Sequence, residues 1–287
     1  MKYGITGNIN KINLKPVLNS LINYFLKKKI NFTVDKNLVK LINADFNKIK
    51  ALAFKRLISD TNILISLGGD GTFLNTVRLL GKKQIPVLGV NLGALGFMAE
   101  VSPEEIENFI EDIENKNYKV IDLCVIQAKS GNGKTLNAIN EVVIDKSNSI
   151  RVIELEIIYK NEYVVNFLGD GVLISSPTGS TGYSLSAGGP IISPYSKVLL
   201  ITPICPHTLN FRPIVVPDDG KIIVKVKSKE NFRITADGHT SLIFKNTGEF
   251  TVSRANFNIK VIKRINKTYF QTLNSKLLWG EDIRIKN

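Results

Sequence analysis

The sequence predicts an α/β domain followed by an all-β domain, and three patterns support this fold class. Strand-like and helical patterns alternate over residues 1–118. Within them a glycine-rich turn, GGDGT at 68–72, joins an apolar run to a helical pattern, as in a parallel β-α-β unit. After residue 117 the alternation gives way to short strand patterns separated by turns. The N-terminal domain should therefore hold an open, mostly parallel sheet, and 287 residues suit two domains.

The N-terminal domain is expected to alternate strands and helices. Short β patterns at 3–6 and 31–34 flank a helical pattern over 15–29. The apolar run at 62–67, the glycine turn, the helical face over 72–80 and the run at 85–90 form a β-α-β unit. Ser102 predicts the start of another helix, because a serine caps the helix and Glu105, three residues later, completes a capping box.

The rest of the chain is expected to be all-β, followed by a tail. We place a domain boundary near residue 118, a C-terminal domain over 119–267 and a tail over 268–287, which contains Trp279 and is apolar enough to pack on another part of the protein. The predicted strands of the C-terminal domain lie at 120–129, 136–145, 152–159, 163–167, 198–202, 221–226 and 250–253.

Charge and composition exclude several classes of protein. The net charge is +13, with 15 basic and 5 acidic residues in 1–100, 8 and 13 in 101–200, and 15 and 7 in 201–287. This positive charge is dispersed, whereas a nucleic-acid binder concentrates it in one patch. No apolar run approaches the roughly 18 residues of a membrane-spanning helix. The two cysteines, Cys124 and Cys205, lie far apart, which favours a reducing, cytoplasmic environment.

The GGDGT turn is the first candidate site. Glycines between a strand and a helix let phosphate oxygens approach backbone N–H groups at the positive end of the helix dipole. Asp70 in this turn could hold Mg²⁺ on ATP phosphates or accept the proton of an attacking hydroxyl. The alternative is a turn that only connects the strand to the helix.

The second candidate site is a stretch of glycine, serine and threonine at residues 169–190, around one tyrosine. Its composition alone would fit a flexible linker. It follows a strand pattern, however, and lacks the repetition of a linker. Hydroxyl groups beside exposed backbone suit the recognition of ribose and phosphate.

Together these motifs resemble those of the NAD kinase family, in order and at plausible separations. The resemblance is carried by GGDGT, by DGVLISSPTGSTGYSLSAGGP at 170–190, by the Asn140-Glu141 pair and by residues 207–217. GGDG alone is shared with diacylglycerol, sphingosine and phosphofructokinases. The resemblance implies an ATP-dependent kinase that phosphorylates the 2′-hydroxyl of the adenosine ribose of NAD to give NADP. It also implies an active site between an α/β domain and a β-sandwich-like domain, and a homodimer or homotetramer. Residues 277–280 resemble the end of the family's chains, which implies that the tail over 268–287 packs back on the N-terminal domain.

The resemblance also implies roles for individual residues. Asp70 matches the catalytic aspartate, and Mg²⁺ is expected to arrive with ATP near it, with no fixed metal site in the protein. Asp170 matches a carboxylate implicated in nucleotide contacts. Gly182 departs from the alanine of many relatives, and the segment around His239 is variable in the family. The implied nucleotide-binding residues are Gly68, Gly69, Gly71, Thr72, Phe73, Asn140, Glu141, Asp170, Thr178, Thr181, Gly182, Tyr183, Ser186 and Cys205.

Two other functions remain open at this stage. One is a lipid or sugar kinase that shares the GGDG turn, and the other is a nucleotide-binding regulator without turnover. Residues 130–135 end in Gly-Lys-Thr like a phosphate loop, but they join two strand patterns and predict a hairpin tip. The glycine-rich segment 89–96 is read either as a loop lining the same cleft or as close packing.

Overall fold

A computed structural model describes residues 1–43, 49–93 and 96–278. The chain divides into two compact units. The first comprises Met1–Asp122 and Ile259–Asn287, and the second comprises Leu123–Asn258. Both divisions fall inside long strands, Lys119–Ser130 and Thr240–Lys263. The first division lies four residues after the predicted boundary at 118, and the second lies nine residues before the predicted one at 267, because no break in the sequence pattern marks either position.

The first unit contains a parallel sheet. Its strands pair in the order β5-β4-β1-β2-β3, and every one of these pairs is parallel. Val261, close to the end of β15, pairs in parallel with Val87 of β5. This confirms the predicted parallel sheet. The strands are β1 (Lys2–Gly7), β2 (Asn31–Asp35), β3 (Ala51–Leu52), β4 (Ile63–Gly68), β5 (Val87–Asn91) and the end of β15 (Thr240–Lys263).

Helices bury apolar faces in the same unit. The pattern predicted over 15–29 forms a helix with six buried core residues: Leu14, Leu18, Leu21, Ile22, Tyr24 and Phe25. The capping box of Ser102 and Glu105 is present, and a short 3₁₀ turn separates it from the following helix. Residue Trp279 lies outside the described residues. The helices are α1 (Leu14–Lys28), α2 (Phe54–Leu57), α3 (Asp70–Leu80), α4 (Ile106–Glu114) and, in the tail, α6 (Tyr269–Leu277).

The second unit is built from antiparallel strands. One path runs β13-β12-β11-β8-β14-β15, while β9 pairs with β10 and β14, and β6 pairs with β7. Strand β14 joins two regions of sheet: its first half pairs with β9 and its second half with β8. The strands are β6 (Lys119–Ser130), β7 (Thr135–Ala138), β8 (Glu141–Asp145), β9 (Ile153–Tyr159), β10 (Glu162–Gly169), β11 (Gly171–Ser175), β12 (Val198–Ile204), β13 (Ile214–Pro217) and β14 (Ile222–Ala236).

Residues from both regions of sheet share one apolar core. Ile144 of β8, Val172 of β11, Leu155 of β9 and Val224 of β14 are all fully buried in the same cluster. The predicted all-β character of this part of the chain is therefore confirmed. Its one described α-helix is the short α5 (Tyr183–Ser186), preceded by a 3₁₀ turn at Thr178–Thr181.

The structure corrects two details of the strand prediction. The single strand predicted over 136–145 is two strands, β7 and β8, interrupted at Ile139 and Asn140. The interruption arises because the backbone there bonds to side chains from distant parts of the chain. Near the start of the 169–190 stretch lies a fully buried strand, β11. Its apolar residues were obscured by the glycine- and serine-rich composition of the stretch. The hairpin predicted around residues 130–135 is confirmed by the pairing of β6 with β7.

Among the described residues, the helices are all too short or too polar to span a membrane.

Candidate functional site

The GGDGT turn lies where β4 ends and α3 begins. All six residues of β4 are buried, and α3 starts at Asp70 with Gly69 as its N-cap. The first N–H groups of a helix have no partner within the helix, so this end carries exposed donors and a positive dipole. The turn therefore offers what an anionic ligand such as a phosphate needs.

The three glycines of this turn have different environments. A Cβ atom on Gly68 would overlap the side chain of Thr72, so this glycine is required for the helix to start so close to the strand. A Cβ on Gly71 would meet nothing within 4 Å, and one on Gly69 would meet only Asn91 Oδ1 at 4.0 Å. Gly69 and Gly71 thus leave space open beside the backbone, where a ligand can approach.

The Asp70 carboxylate is held by three backbone N–H groups, which we call the Asp70 clamp. Phe97 donates to Oδ2 at 2.9 Å, while Met98 and Ala99 donate to Oδ1 at 3.1 and 3.0 Å. A Cβ on Gly96 would overlap this carboxylate, so glycine is required there too. The segment after β5, read from the sequence as either a cleft loop or close packing, thus positions Asp70; its residues 94 and 95 lie outside the described residues.

One cation also faces Asp70. Lys276, in the last turn of α6, places its Nζ 3.4 Å from Asp70 Oδ2 and 4.4 Å from the centre of the Phe97 ring. A carboxylate offers about four lone-pair positions, of which the clamp fills three. The remaining position, on Oδ2, is the one that Lys276 approaches. Because both side chains of this pair are about 30% exposed, it is weak and a ligand can displace it.

The second candidate site lies around Asn140 and Glu141, in the second unit. The Asp237 carboxylate accepts hydrogen bonds from the N–H groups of Ile139, Asn140 and Glu141 at 2.8, 2.8 and 3.2 Å. From the other side, the N–H of Ser176 donates to the carbonyl of Asn140 at 2.9 Å. These contacts hold the break between β7 and β8 in a fixed conformation.

The serines and threonines after β11 have separate structural positions. Ser176, Ser180 and Ser184 are fully buried and bond to the protein itself. Ser176 bonds to the Ile139 carbonyl, Ser180 to the backbone of Ile192, and Ser184 to the Thr202 hydroxyl at 2.9 Å. Thr178 and Thr181, by contrast, are partly exposed, and Tyr183 is 47% exposed. The serines therefore build the turn. The Thr181 hydroxyl donates to the Thr178 carbonyl at 3.4 Å, and the exposed Tyr183 ring is available to a ligand.

Three polar atoms of this second site have no hydrogen-bond partner among the described residues. They are Asn140 Oδ1, Glu141 Oε2 and Thr178 Oγ1. Ser175 of β11 pairs with Glu141, and Gly179, next to Thr178, packs on the Asn140 backbone, so the three residues lie near one another. Each unpaired buried polar atom costs about 1–3 kcal/mol. A ligand that pairs with them would recover part of that energy.

Glu141 is also electrostatically unusual. Burial and, to a smaller extent, the nearby charge of Asp237 together raise the pKa of its carboxyl to about 7, although a hydrogen bond from the Tyr183 backbone N–H partly offsets both effects. Burial also raises the pKa of Asp237, against the three N–H groups that favour its ionised form. Two carboxyl groups with raised pKa values on one small surface are typical of functional sites.

Two family models match this chain. The model of the ATP-NAD kinase N-terminal domain matches residues 4–118, and that of the ATP-NAD kinase C-terminal domain matches residues 139–264. The chain belongs to the ATP-NAD kinase family.

Similar proteins span nearly all of the chain. The NAD kinase of Bacteroides fragilis is 39% identical over 99% of this chain and 100% of its own length. That of Flavobacterium psychrophilum is 35% identical with the same coverage. The crystal structure of yeast NADH kinase complexed with NADH has a TM-score of 0.91 at 25% identity, covering 100% of this chain and 90% of the other. An NAD kinase from Archaeoglobus fulgidus in complex with ATP shares the fold at 22% identity, with a TM-score of 0.78 and coverage of 97% and 99%.

Membership of the ATP-NAD kinase family confirms three predictions made from the sequence. These are the family resemblance, the α/β plus all-β fold class, and a kinase that acts on NAD. A lipid or sugar kinase would share only the GGDG turn, whereas here the models of both NAD kinase domains match. That alternative is therefore set aside.

Several of the predicted site residues do not lie beside the Asn140 and Thr178 region. Asp170 and Cys205 lie next to the opposite end of β11, where Gly171 pairs with Asp145 and Ile204. Four residue steps, from Gly171 to Ser175, separate the two ends, about 13 Å at 3.3 Å per residue. Asp170 there forms an ion pair with Lys146 at 2.8 Å. Within one copy of this NAD kinase family member, Asp170 is thus remote from Glu141.

The remaining predicted residues lie as follows. The Phe73 side chain is fully buried in the first unit, so it is available for packing and not for a ligand. Thr72 is partly exposed beside the open glycines, and Ser186 is exposed at the end of α5. A Cβ on Gly182 would lie 3.2 Å from Glu141 Oε2, so the alanine of many relatives would fit after a small shift.

Sequence reasoning missed three groups of this family member. They are the Asp70 clamp, Lys276 and Asp237. Asp237 lies in the tight turn between β14 and β15, where its φ is 48°. Backbone N–H groups leave no mark in a sequence, because every residue except proline has one. The only local signal for Asp237 is the Asp237-Gly238 pair, which indicates a turn and not a binding role.

Proposed function

We propose that this protein transfers the γ-phosphoryl group of ATP to the 2′-hydroxyl of the adenosine ribose of NAD, giving NADP and ADP. The observation that carries the proposal is the Asp70 carboxylate, held by three N–H groups at the start of α3 with one position left on Oδ2. That position suits the proton of an attacking hydroxyl. The relatives named NAD kinase and the yeast NADH kinase supply the substrate class.

The proposed reaction is a single displacement at phosphorus. The 2′-oxygen forms a bond to the γ-phosphorus while the bond from that phosphorus to the ADP oxygen breaks. The hydroxyl proton passes to Asp70 Oδ2, and ADP leaves with the electron pair of the broken bond. Proton transfer of this kind contributes typically 10²–10⁴-fold, and positioning of the two reactants contributes much of the rest.

The phosphate half of the substrate is proposed to lie on the GGDGT turn. Gly69 and Gly71 leave the backbone open, and the N-terminal N–H groups of α3 donate toward negative charge. Thr72 adds a partly exposed hydroxyl at the same helix end. Gly68 is assigned a structural role, because its hydrogen atom faces Thr72.

Mg²⁺ is proposed to arrive with ATP. Within the part of the chain that the structure describes, no three His, Cys, Asp or Glu side chains lie together as a metal site. The clamp and Lys276 already surround the Asp70 carboxylate with hydrogen-bond donors, and this surrounding does not suit a resident metal ion. When bound to the ATP phosphates, the ion would neutralise their charge.

The dinucleotide is proposed to contact the second site. Asn140 Oδ1, Glu141 Oε2 and Thr178 Oγ1 need partners, and the adenine amino group and the ribose hydroxyls can donate to them. Tyr183 offers an exposed ring for stacking. Asp170, Cys205 and Ser186 remain proposed nucleotide contacts from the family resemblance alone. The same resemblance supports a homodimer or homotetramer, and the free Cys124 and Cys205 fit a cytoplasmic location.

The test is an assay of the purified protein with NAD, ATP and Mg²⁺, with NADP read by an NADP-specific dehydrogenase. Wild-type protein should make NADP, and Asp70→Asn should lower kcat by about 10²–10⁴-fold. Asparagine keeps one oxygen for the clamp and loses one bond, so unfolding stability should fall by about 1–3 kcal/mol without loss of fold. NAD binding without NADP formation would instead support a regulator without turnover. Near-normal turnover by Asp70→Asn would refute the role of Asp70.

A further inference from the structure

Lys263, the last residue of β15, is connected to Asp70 through two peptide groups. Its Nζ donates to the carbonyl oxygens of Phe97 at 3.0 Å and Met98 at 3.4 Å. The N–H groups of these same two peptide units belong to Met98 and Ala99, and both donate to Asp70 Oδ1. Each of these two planar peptide units therefore lies between the Lys263 ammonium and the Asp70 carboxylate.

We propose that Lys263 is a positioning residue for phosphoryl transfer, because it holds and polarises the clamp that orients Asp70. The proposal rests on the proposed role of Asp70 in that reaction. A cation at a carbonyl oxygen draws electron density toward it and strengthens the N–H of the same peptide as a donor. Because the peptide is rigid, a fixed C=O direction also fixes the N–H direction. Lys263 is not proposed to contact the substrate.

The burial of Lys263 supports a role beyond stability. Its side chain is 11% exposed and lies 2.9 Å from the carboxylate of Glu100, which is 7% exposed. Replacing such a buried ion pair by apolar side chains is often neutral or stabilising. Glu100 Oε1 also finds no hydrogen-bond partner among the described residues, and burial lowers the pKa of Lys263. The ion pair is thus a weak source of stability. The two contacts to carbonyl oxygens indicate instead that the ammonium positions the clamp.

Two variants distinguish the effect of the Lys263 ammonium on the clamp from the effect of its ion pair with Glu100. Glu100→Gln removes the charge partner, but the glutamine amide oxygen can still accept from Lys263 and the Asp70 carboxylate still favours its charged form. The ammonium should therefore stay on both carbonyls, and kcat should stay close to wild type. Lys263→Leu combined with Glu100→Gln removes the ammonium and leaves no unpaired buried charge. We expect kcat of the double variant to fall about 10- to 100-fold, an effect expected for a reacting group misplaced by about 1 Å. KM for NAD and ATP should stay unchanged, and Lys263→Arg, which keeps a cation, should restore most of kcat.

A second readout does not depend on turnover. The chain contains two methionines, Met1 and Met98. Labelling methionine with nitrogen-15 therefore gives one backbone amide signal, from Met98, because Met1 carries the terminal amine. The Met98 amide proton should move upfield in the double variant and stay in place in Glu100→Gln. Leucine is chosen at 263 because a methionine would add a second labelled amide.

The outcomes distinguish this proposal from the proposed function. The proposal is overturned if the double variant keeps wild-type kcat, if Glu100→Gln loses as much kcat, or if the Met98 signal does not move. Should the leucine variant not fold, Lys263→Gln with Glu100→Gln keeps the volume and takes its place. A wild-type protein that makes no NADP would refute the proposed function, and the Met98 signal would still decide whether Lys263 acts on the clamp.

Discussion

Asp237 accepts a hydrogen bond from the backbone N–H of Asn140 at 2.8 Å, across 97 residues of sequence. The same Oδ1 accepts from Glu141, and Oδ2 accepts from Ile139. Three consecutive N–H groups therefore converge on one carboxylate. This arrangement presents the Asn140 and Glu141 side chains in a fixed conformation before any ligand binds.

Asp237→Asn should weaken the binding of NAD. Asparagine tolerates the positive φ of this position but offers one acceptor oxygen in place of two, so one N–H loses its partner. We expect KM for NAD to rise about tenfold, equivalent to about 1.4 kcal/mol, with a smaller change in kcat. Asp219→Asn is the matched control, since Asp219 also precedes a glycine in a turn but is exposed and bonds to Lys160 and Tyr159. Equal KM values in the two variants would contradict the role of Asp237.

Glu141→Gln should change the pH dependence of stability. The folded-state pKa of Glu141 is raised from 4.5 to about 7 by burial and by Asp237, so the native state favours the protonated acid. Its contribution to stability is fully present below about pH 4.5 and is lost as pH rises through about 7. Glutamine mimics the protonated acid and has no such loss. At pH 8 the variant should be more stable than wild type by about 3 kcal/mol, an order-of-magnitude figure from the shift between 4.5 and about 7.

The measurement is urea unfolding of both proteins at pH 5, 6, 7 and 8. The advantage of Glu141→Gln should shrink steadily as pH falls toward 5. A difference that is constant over this range would show that Glu141 has an ordinary pKa. The same variant should bind NAD less tightly, because glutamine cannot accept from two ribose hydroxyls as a carboxylate can.

Gly71→Ala and Gly68→Ala should have opposite effects. A Cβ on Gly71 meets nothing within 4 Å, and alanine favours the helix, so stability should rise by about 0.5–1 kcal/mol. That Cβ would occupy space proposed for phosphate and would remove one hydrogen bond to a charged group. KM for ATP should therefore rise about tenfold or more. Gly68→Ala should destabilise the fold by about 1–3 kcal/mol, because its Cβ would overlap Thr72. Thermal unfolding and ATP titrations measure both effects, and an unchanged KM in Gly71→Ala would argue against a phosphate site here.

Thr178→Val and Ser184→Ala should separate ligand contacts from structural contacts. The Thr178 hydroxyl has no partner within the described residues, so its removal should leave the unfolding free energy unchanged or higher, while KM for NAD rises. Ser184 bonds to Thr202 in the core, so its removal should cost about 1–3 kcal/mol with little change in KM. A Thr178→Val protein that loses stability and keeps its KM would reverse the assignment.

Much of the first unit followed from the sequence because its signals are local. Helix α1 and the turn between β4 and α3 depend on residues adjacent in the chain: an apolar stripe at helical spacing, and glycines flanking Asp70. Strand β11 was missed because its flanks are rich in glycine and serine, although all five of its residues are buried. The break between β7 and β8 was missed because Asp237 and Ser176, which cause it, lie far from Asn140 in sequence.

The sequence by itself determined the order of the two structural classes, the GGDGT turn and the family, since each is encoded in composition or in motifs of adjacent residues. The tertiary structure decided which groups act together. It placed the N–H groups of Phe97, Met98 and Ala99 around Asp70, and it brought Lys263 to the carbonyls of that segment from 166 residues away. It also assigned the buried serines to the fold and left the Thr178 hydroxyl oxygen without a hydrogen-bond partner among the described residues. Hydrogen bonds between distant backbone groups carry no sequence signature, so only the folded chain shows them.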